Sequence, residues 1–199
     1  MKSRQCPIQQ QHKCEALAEL LTLAANGIIE IFFGDESGFW QTPVVARAWQ
    51  FRGEEIRIFP GKGKQLAVFG VIDVDCQGKF WTSEKTINSE FVIDCVEQWV
   101  ANKDEKPRVL VLDNARIHRS KKMQAKFAEW EKKGFYVFFL PPYSPHLNII
   151  EILWRKMKYE WLKAEDYLSF ESLSAAIREI LSGLGTKYKI NYKNRVFIK

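Results

Sequence analysis

Hydrophobic and polar positions divide the chain into alternating helical and extended stretches. Leu17, Leu20, Leu21 and Ala24 share one helical stripe across residues 12–25, and Asn26-Gly27 supplies the stop. Residues 28–34 are apolar nearly throughout, as in a strand buried on both faces, and predict a strand ending on Asp35. Residues 39–51 set Phe39, Trp40, Trp49 and Phe51 among Thr, Val and Arg, which predicts a strand and a loop, with Gly53 turning the chain. Residues 65–74 predict a strand. Asp75-Cys76-Gln77-Gly78 turns it into a returning strand from Lys79, so antiparallel pairing is expected here.

Asn88 or Ser89 caps a helix whose apolar face is Phe91, Val92, Cys95, Val96, Trp99 and Val100. Lys106-Pro107 breaks it, and the run Val109-Leu110-Val111-Leu112 gives a strand over 108–112 that meets Asp113 at once. A basic helix over about 119–133 buries Met123, Phe127 and Trp130, and a strand follows over 135–140. Pro141, Pro142 and Pro145 exclude regular structure from the next loop. The helix over about 146–163 carries Ile150, Leu153, Trp154, Met157 and Trp161 inward, with Glu151, Arg155 and Lys158 on the neighbouring face. Ser169 caps a last helix buried through Leu173, Ala176, Ile177, Ile180 and Leu181. This order predicts an α/β fold, a mixed sheet flanked by helices.

Length suits one domain, taken as residues 12–184. Residues 1–11 are polar and Gln-rich and are expected to be a disordered or remnant segment. Residues 185–199 read as a basic, aromatic tail, either phosphate-binding or simply solvated. No stretch of about 18 apolar residues exists to span a membrane, and no apolar segment marks a secretion signal. Four cysteines without metal-ligand spacing suit reduced thiols in the cytoplasm. A net charge of +6 is a weak pointer to a polyanionic partner.

The chemistry lies in three carboxylates. Asp35 and Asp113 each follow an apolar run, and Glu151 opens a helix. Three carboxylates converging in a partly dry site repel one another unless a divalent cation neutralises them, and oxygen-only donors suit Mg²⁺ or Mn²⁺. Two such ions suit an in-line phosphodiester displacement, with Asp35 shared, Asp113 on one ion and Glu151 on the other. Each carboxylate also fits a plainer role. An aspartate at a strand end often caps the next turn, and Glu151 has Arg155 at the i,i+4 spacing for an ion pair. Lys158 suits a phosphate contact or a solvated position about equally. Trp154 reads as core, and His146 as solvent-facing.

The surroundings of these residues carry a resemblance. Asp35-Glu36-Ser37, then Val111-Leu112-Asp113-Asn114-Ala115-Arg116-Ile117-His118, then Leu140-Pro141-Pro142-Tyr143-Ser144-Pro145-His146-Leu147-Asn148-Ile149-Ile150-Glu151 resemble the Tc/mariner superfamily of transposases, in its bacterial insertion-sequence branch. The resemblance covers roughly residues 15–182. It implies a ribonuclease-H-like five-stranded mixed sheet and a D-D-E catalytic triad at Asp35, Asp113 and Glu151, which also serve as the metal ligands. It further implies DNA strand cleavage and strand transfer at transposon ends with Mg²⁺ or Mn²⁺. Asn114, His118, Arg155, Lys158, Lys62 and Lys64 are the auxiliary or DNA-contacting candidates.

The pattern departs from the family where His146 replaces an aspartate and Ile149 a proline, which removes rigidity just before Glu151. The implied partners are double-stranded DNA and a second copy of the chain, with residues 47–64 a dimer-contact candidate or else an ordinary hairpin. A separate helix-turn-helix polypeptide or a full-length transposase is expected as a further partner, because the residues ahead of the first helix are too few for such a domain. Localisation is expected in the cytoplasm, on the nucleoid. Two other functions fit the same residues. One is a structure-specific nuclease of the same fold. The other is a non-catalytic remnant that binds DNA or inhibits full-length transposase by mixed assembly.

Overall fold

The computed structural model describes residues 7–42, 63–101 and 106–192. Within them one sheet of five strands is flanked by helices on both faces. Helix α1 (Pro7–Ala25) leads into β1 (Glu30–Trp40), β2 (Gln65–Ile72) and β3 (Gly78–Ser83). Then come α2 (Ser89–Val100), β4 (Arg108–Leu112), α3 (Lys121–Glu131) and β5 (Phe135–Phe139). Helix α4 (Ile150–Lys156) and α5 (Phe170–Ser182) complete the layers. The strand order is β3-β2-β1-β4-β5. The β1, β2 and β3 neighbours pair antiparallel, while β4 lies parallel to both β1 and β5. This is the mixed sheet expected from the sequence.

Local signals explain most boundaries. Gly27 takes a positive φ of 69° after α1 and donates its N–H to the Ala24 carbonyl, which ends the helix. Asn88, not Ser89, caps α2 by accepting from the Phe91 N–H at 2.9 Å. Ser120 caps α3 and Ser169 caps α5 in the same way. Asp73 closes the β2–β3 turn by accepting the N–H groups of Asp75 and Gln77 on one oxygen.

The core has two layers. Phe33, Val68, Val109 and Val111 pack with Leu17 of α1, with Ile150, Leu153 and Trp154 of α4, and with Leu173 and Ile177 of α5. On the other face, Phe69, Val71, Leu110 and Leu112 pack with Val92, Val96 and Trp99 of α2 and Met123 and Trp130 of α3. Each sheet residue thus falls to one layer or the other by strand alternation.

Four expectations change. Helix α1 starts at Pro7, so residues 7–11 are helical rather than a disordered remnant. β1 does not stop before Asp35 but runs to Trp40, because β2 pairs with it from Phe33 to Trp40 while β4 pairs only from Glu30 to Phe33. The long helix expected over 146–163 is interrupted. A 3₁₀ turn at Pro145–Leu147 precedes α4, and a π turn at Met157–Trp161 follows it. Finally, the chain beyond α5 is not a free basic tail as far as residue 192. Ile190 and Tyr192 are buried, the Ile190 carbonyl accepts from Cys76 Sγ at 3.1 Å, and Tyr188 packs on Trp161. Residues 43–62, which hold Lys62 and most of the dimer-contact candidate, and residues 193–199 lie outside the described residues.

Candidate active site

Strand parity sets up the site. Ile31 and Phe33 of β1 share a face with Val109 and Val111 of β4, and the last paired couple of this parallel ladder is Phe33–Val111. Asp35 and Asp113 each stand two residues further on. They therefore emerge on the same face, at the same end of neighbouring strands, beneath α4. Glu151 enters from the first turn of α4. Asp35 feels the charges of Glu151 and Asp113, and Glu151 feels that of Asp113. Burial first, then the charges of Glu151, Glu36 and Asp113, raise the Asp35 pKa to about 8. Burial raises Glu151 as well, opposed by Lys158 and reinforced by Asp113.

Tertiary hydrogen bonds lock this geometry. Trp154 Nε1 donates to Asp35 Oδ2 at 3.1 Å. Its indole fits because Asp35 pairs with Gly70 on β2, where a Cβ would come within 2.9 Å of the Trp154 ring and 2.7 Å of Phe80. Asn148, fully enclosed just ahead of α4, donates Nδ2 to the Gly34 carbonyl at 3.1 Å, leaving its Oδ1 buried without a partner. The family's proline is missing at Ile149, yet Ile149 still takes φ −64° and is buried. Packing and the Asn148 clamp supply the placement a proline ring would give.

Asp113 is held from the other side. Its Oδ1 accepts from the Ala115 N–H at 2.9 Å and from His118 Nδ1 at 2.8 Å. The His118 bond is the main reason its pKa falls below the usual aspartate value. His118 is completely buried, and its Nε2 lies 3.0 Å from Glu36 Oε1. That second contact is an ion pair off the N–H axis, since neither atom has a well-aligned hydrogen bond. Burial opposes the imidazolium, but Asp113 and Glu36 together outweigh it and raise the His118 pKa to about 9. The ring is sealed from solvent, which suits the auxiliary role named for His118 and not a DNA contact.

Asn114 is likewise committed within the fold. It donates to the Leu140 carbonyl at 2.5 Å and accepts from Arg119 at 3.1 Å, joining the ends of β4 and β5. Arg155 is exposed and makes no ion pair with Glu151 among the described residues. Lys158 stands 5.3 Å from the Phe39 ring centroid. Burial lowers its pKa against the pull of Glu151 and Asp35. Glu151, Arg155 and Lys158 line one groove of about 780 Å³ that also includes Leu17, His146 and Tyr159. Lys64 lies over the Phe170 ring at 5.2 Å, away from the three carboxylates. Sequence reasoning gave Glu36 and Asn148 no role and gave Trp154 only a core role. Glu36 and Asn148 lie inside the quoted motifs, which was the only signal for them, while Trp154 lies three residues beyond the last motif.

The donor set fits a hard cation. It offers only carboxylate oxygens, and the Asp35 pKa is raised first by burial and then by neighbouring carboxylate charge, both of which a bound cation would offset. The cluster is open rather than a cage. Among the described residues no three His, Cys, Asp or Glu side chains converge tightly enough to enclose an ion by themselves. Mg²⁺ commonly takes one or two carboxylates and completes its shell with water and substrate phosphate.

The chain is similar to known proteins along most of its length. It is 27% identical over 154 residues to the insertion element IS630 uncharacterized 39 kDa protein of Shigella sonnei, matching 75% of this chain and 44% of that protein. The chain therefore spans less than half of that relative. Its fold is similar to the Mos1 mariner paired-end complex with Mg, with TM-score 0.63, 17% identity, and 88% of this chain and 54% of that chain covered. The catalytic domain of Mos1 mariner transposase gives TM-score 0.55 and 15% identity, over 92% of this chain and 83% of that one. The model of the DDE superfamily endonuclease family matches residues 30–174, a span that begins with β1, takes in all three carboxylates and ends within α5, and the chain belongs to that family.

Proposed function

We propose that this chain is the catalytic part of an insertion-sequence transposase, cutting DNA at the element's ends and joining the freed 3′-hydroxyl to target DNA. The observation that supports this reading best is the placement of Asp35, Asp113 and Glu151 at one end of the β1–β4 pair, where Asp35 feels the charges of Glu151 and Asp113 and Glu151 that of Asp113. Family membership and a fold shared with a transposase solved with Mg support it.

In this reading Asp35, Asp113 and Glu151 would together hold Mg²⁺ or Mn²⁺, two ions in all. A bound divalent cation lowers the pKa of the attacking water or 3′-hydroxyl and offsets charge on the leaving oxygen. The protein's own part is placement. Trp154 fixes Asp35, the Asn148 clamp fixes the start of α4 and with it Glu151, and Ala115 and His118 fix Asp113. Arg155 and Lys158 line the groove beside Glu151 and suit the flanking phosphates. Duplex DNA is the substrate, and the active assembly is a dimer on DNA, completed by a DNA-binding helix-turn-helix domain in the same or a separate polypeptide.

The test uses a plasmid bearing the element's terminal inverted repeats, incubated with Mn²⁺ or Mg²⁺. Metal-dependent nicks at the ends and joined products are expected from the wild type and absent from Asp113→Ala. If the two proteins behave alike under every metal condition, the reading fails. Preferential cutting of branched DNA would replace it with a structure-specific nuclease.

A further inference from the structure

The mechanism above uses His118 only as a hydrogen-bond donor to Asp113 and leaves Glu36, on the far side of that ring, without a function. Their placement is costly. An imidazole is completely buried between two carboxylates, 2.8 Å from Asp113 Oδ1 and 3.0 Å from Glu36 Oε1. Burial of charged groups persists only where pairing compensates it. Glu36 follows Asp35 on β1 but points to the opposite face by strand alternation. It shares parity with Gly34, whose α-carbon faces Leu110 and Leu112 of the α2–α3 layer. It therefore reaches Asp113 only through the His118 ring. The loop carrying His118 is itself pinned, since Ser89 Oγ of α2 donates to the Ile117 carbonyl at 2.8 Å and the His118 N–H bonds the Ala115 carbonyl at 3.1 Å.

We propose that Glu36 and His118 are positioning residues that set the Asp113 carboxylate for a divalent cation, with Glu36 acting through the His118 ring. Asp113 lies just beyond the last residue of β4, so the ladder no longer holds its backbone. Its side chain is half exposed, and only its Oδ1 contacts hold the rotamer. Among the described residues Oδ2 makes no hydrogen bond, which leaves it free to ligate. A carboxylate–imidazole pair that orients a ligand from behind is a general device of metal sites. Here the ring orients a carboxylate instead of binding the ion itself. The inference rests on the reading of Asp113 as a ligand.

The test measures Mn²⁺ binding to DNA-free protein, read from the electron paramagnetic resonance of unbound Mn²⁺, with thermal melts to confirm folding. Asp113→Ala is expected to lose binding. Glu36→Gln and His118→Gln are expected to weaken it about 10–100-fold. His118→Asn places an amide where Nδ1 stood, keeps the bond to Asp113, and is expected to stay within about threefold of the Glu36→Gln value or better. Should His118→Gln fail to fold, Glu36→Gln decides alone, because its side chain is partly exposed and the change is isosteric. Wild-type affinity in folded Glu36→Gln overturns the proposal. So does complete loss matching Asp113→Ala, which would make Glu36 a ligand. Wild-type affinity in Asp113→Ala would instead remove the ligand reading on which the proposal rests.

Discussion

Trp154 Nε1 donates a hydrogen bond to Asp35 Oδ2 across 3.1 Å, joining the helix that carries Glu151 to the strand that carries Asp35. Trp154 and Glu151 lie three residues apart on α4, so the anchor of Asp35 and the candidate ligand Glu151 are neighbours on the helix surface. The indole also fills the space above Gly70 and meets Phe39 and Phe80 edge to face. One side chain thus combines core packing with the placement of two candidate ligands.

Trp154→Phe separates these two tasks. The ring survives and the donor is lost, so an oxygen of the enclosed Asp35 is left without its partner. Such a loss costs about 1–3 kcal/mol. Urea unfolding is expected to register a decrease of that order with an unchanged slope. Mn²⁺-dependent nicking is expected to fall tenfold or more, as for other groups that orient metal ligands. Unchanged nicking in a folded variant would show that the indole packs without positioning.

The acidic cluster makes the metal-free protein lose stability as pH rises. Asp35 has a folded pKa of about 8 against an ordinary 3.8, so the folded state keeps a proton that the unfolded chain has released, and stability declines across that window. His118, raised from 6.5 to about 9, contributes fully below its unfolded value and loses that contribution as pH climbs to about 9. The two effects share a sign. Asp113 is depressed, so its contribution is present above 3.8 and disappears on further acidification. Urea melts in chelator are expected to show a maximum in the mildly acidic range and a fall toward pH 9, at up to about 1.4 kcal/mol per unit per group. Asp35→Asn should flatten the part between pH 4 and 8, and millimolar Mg²⁺ should raise the alkaline limb. A flat alkaline limb in chelator would contradict the cluster.

DNA binding should carry the signature of Arg155. It is exposed in the groove beside Glu151, without an ion-pair partner among the described residues. One phosphate contact contributes about 0.9 to the slope of log affinity against log salt. Arg155→Ala is expected to reduce the slope by that amount, measured by fluorescence anisotropy on a duplex of arbitrary sequence. Arg178, exposed on α5 in a different groove with Cys76 and Gln77, serves as the control and should leave it unchanged. Equal slopes for wild type and Arg155→Ala would place the DNA elsewhere.

The sequence by itself determined the alternation of elements and singled out the three carboxylates as candidates. Both rest on local properties. Apolar period distinguishes a strand from a helix within ten residues, and a cap such as Asn88 or Ser169 marks a boundary by its own side chain. Only the tertiary structure decided how these pieces act together. β1 passes Asp35 and continues to Trp40 because β2, which follows only at Gln65, pairs with it. His118, which the sequence leaves open as an auxiliary or a DNA-contacting residue, is sealed between Asp113 and Glu36. Trp154 becomes an anchor for Asp35, 119 positions away. Ile190 and Tyr192 leave a basic stretch to join the core. Hydrogen-bond partners and burial are set by contacts between residues far apart along the chain. Periodicity carries no information about such contacts, and the register of the sheet fixes them.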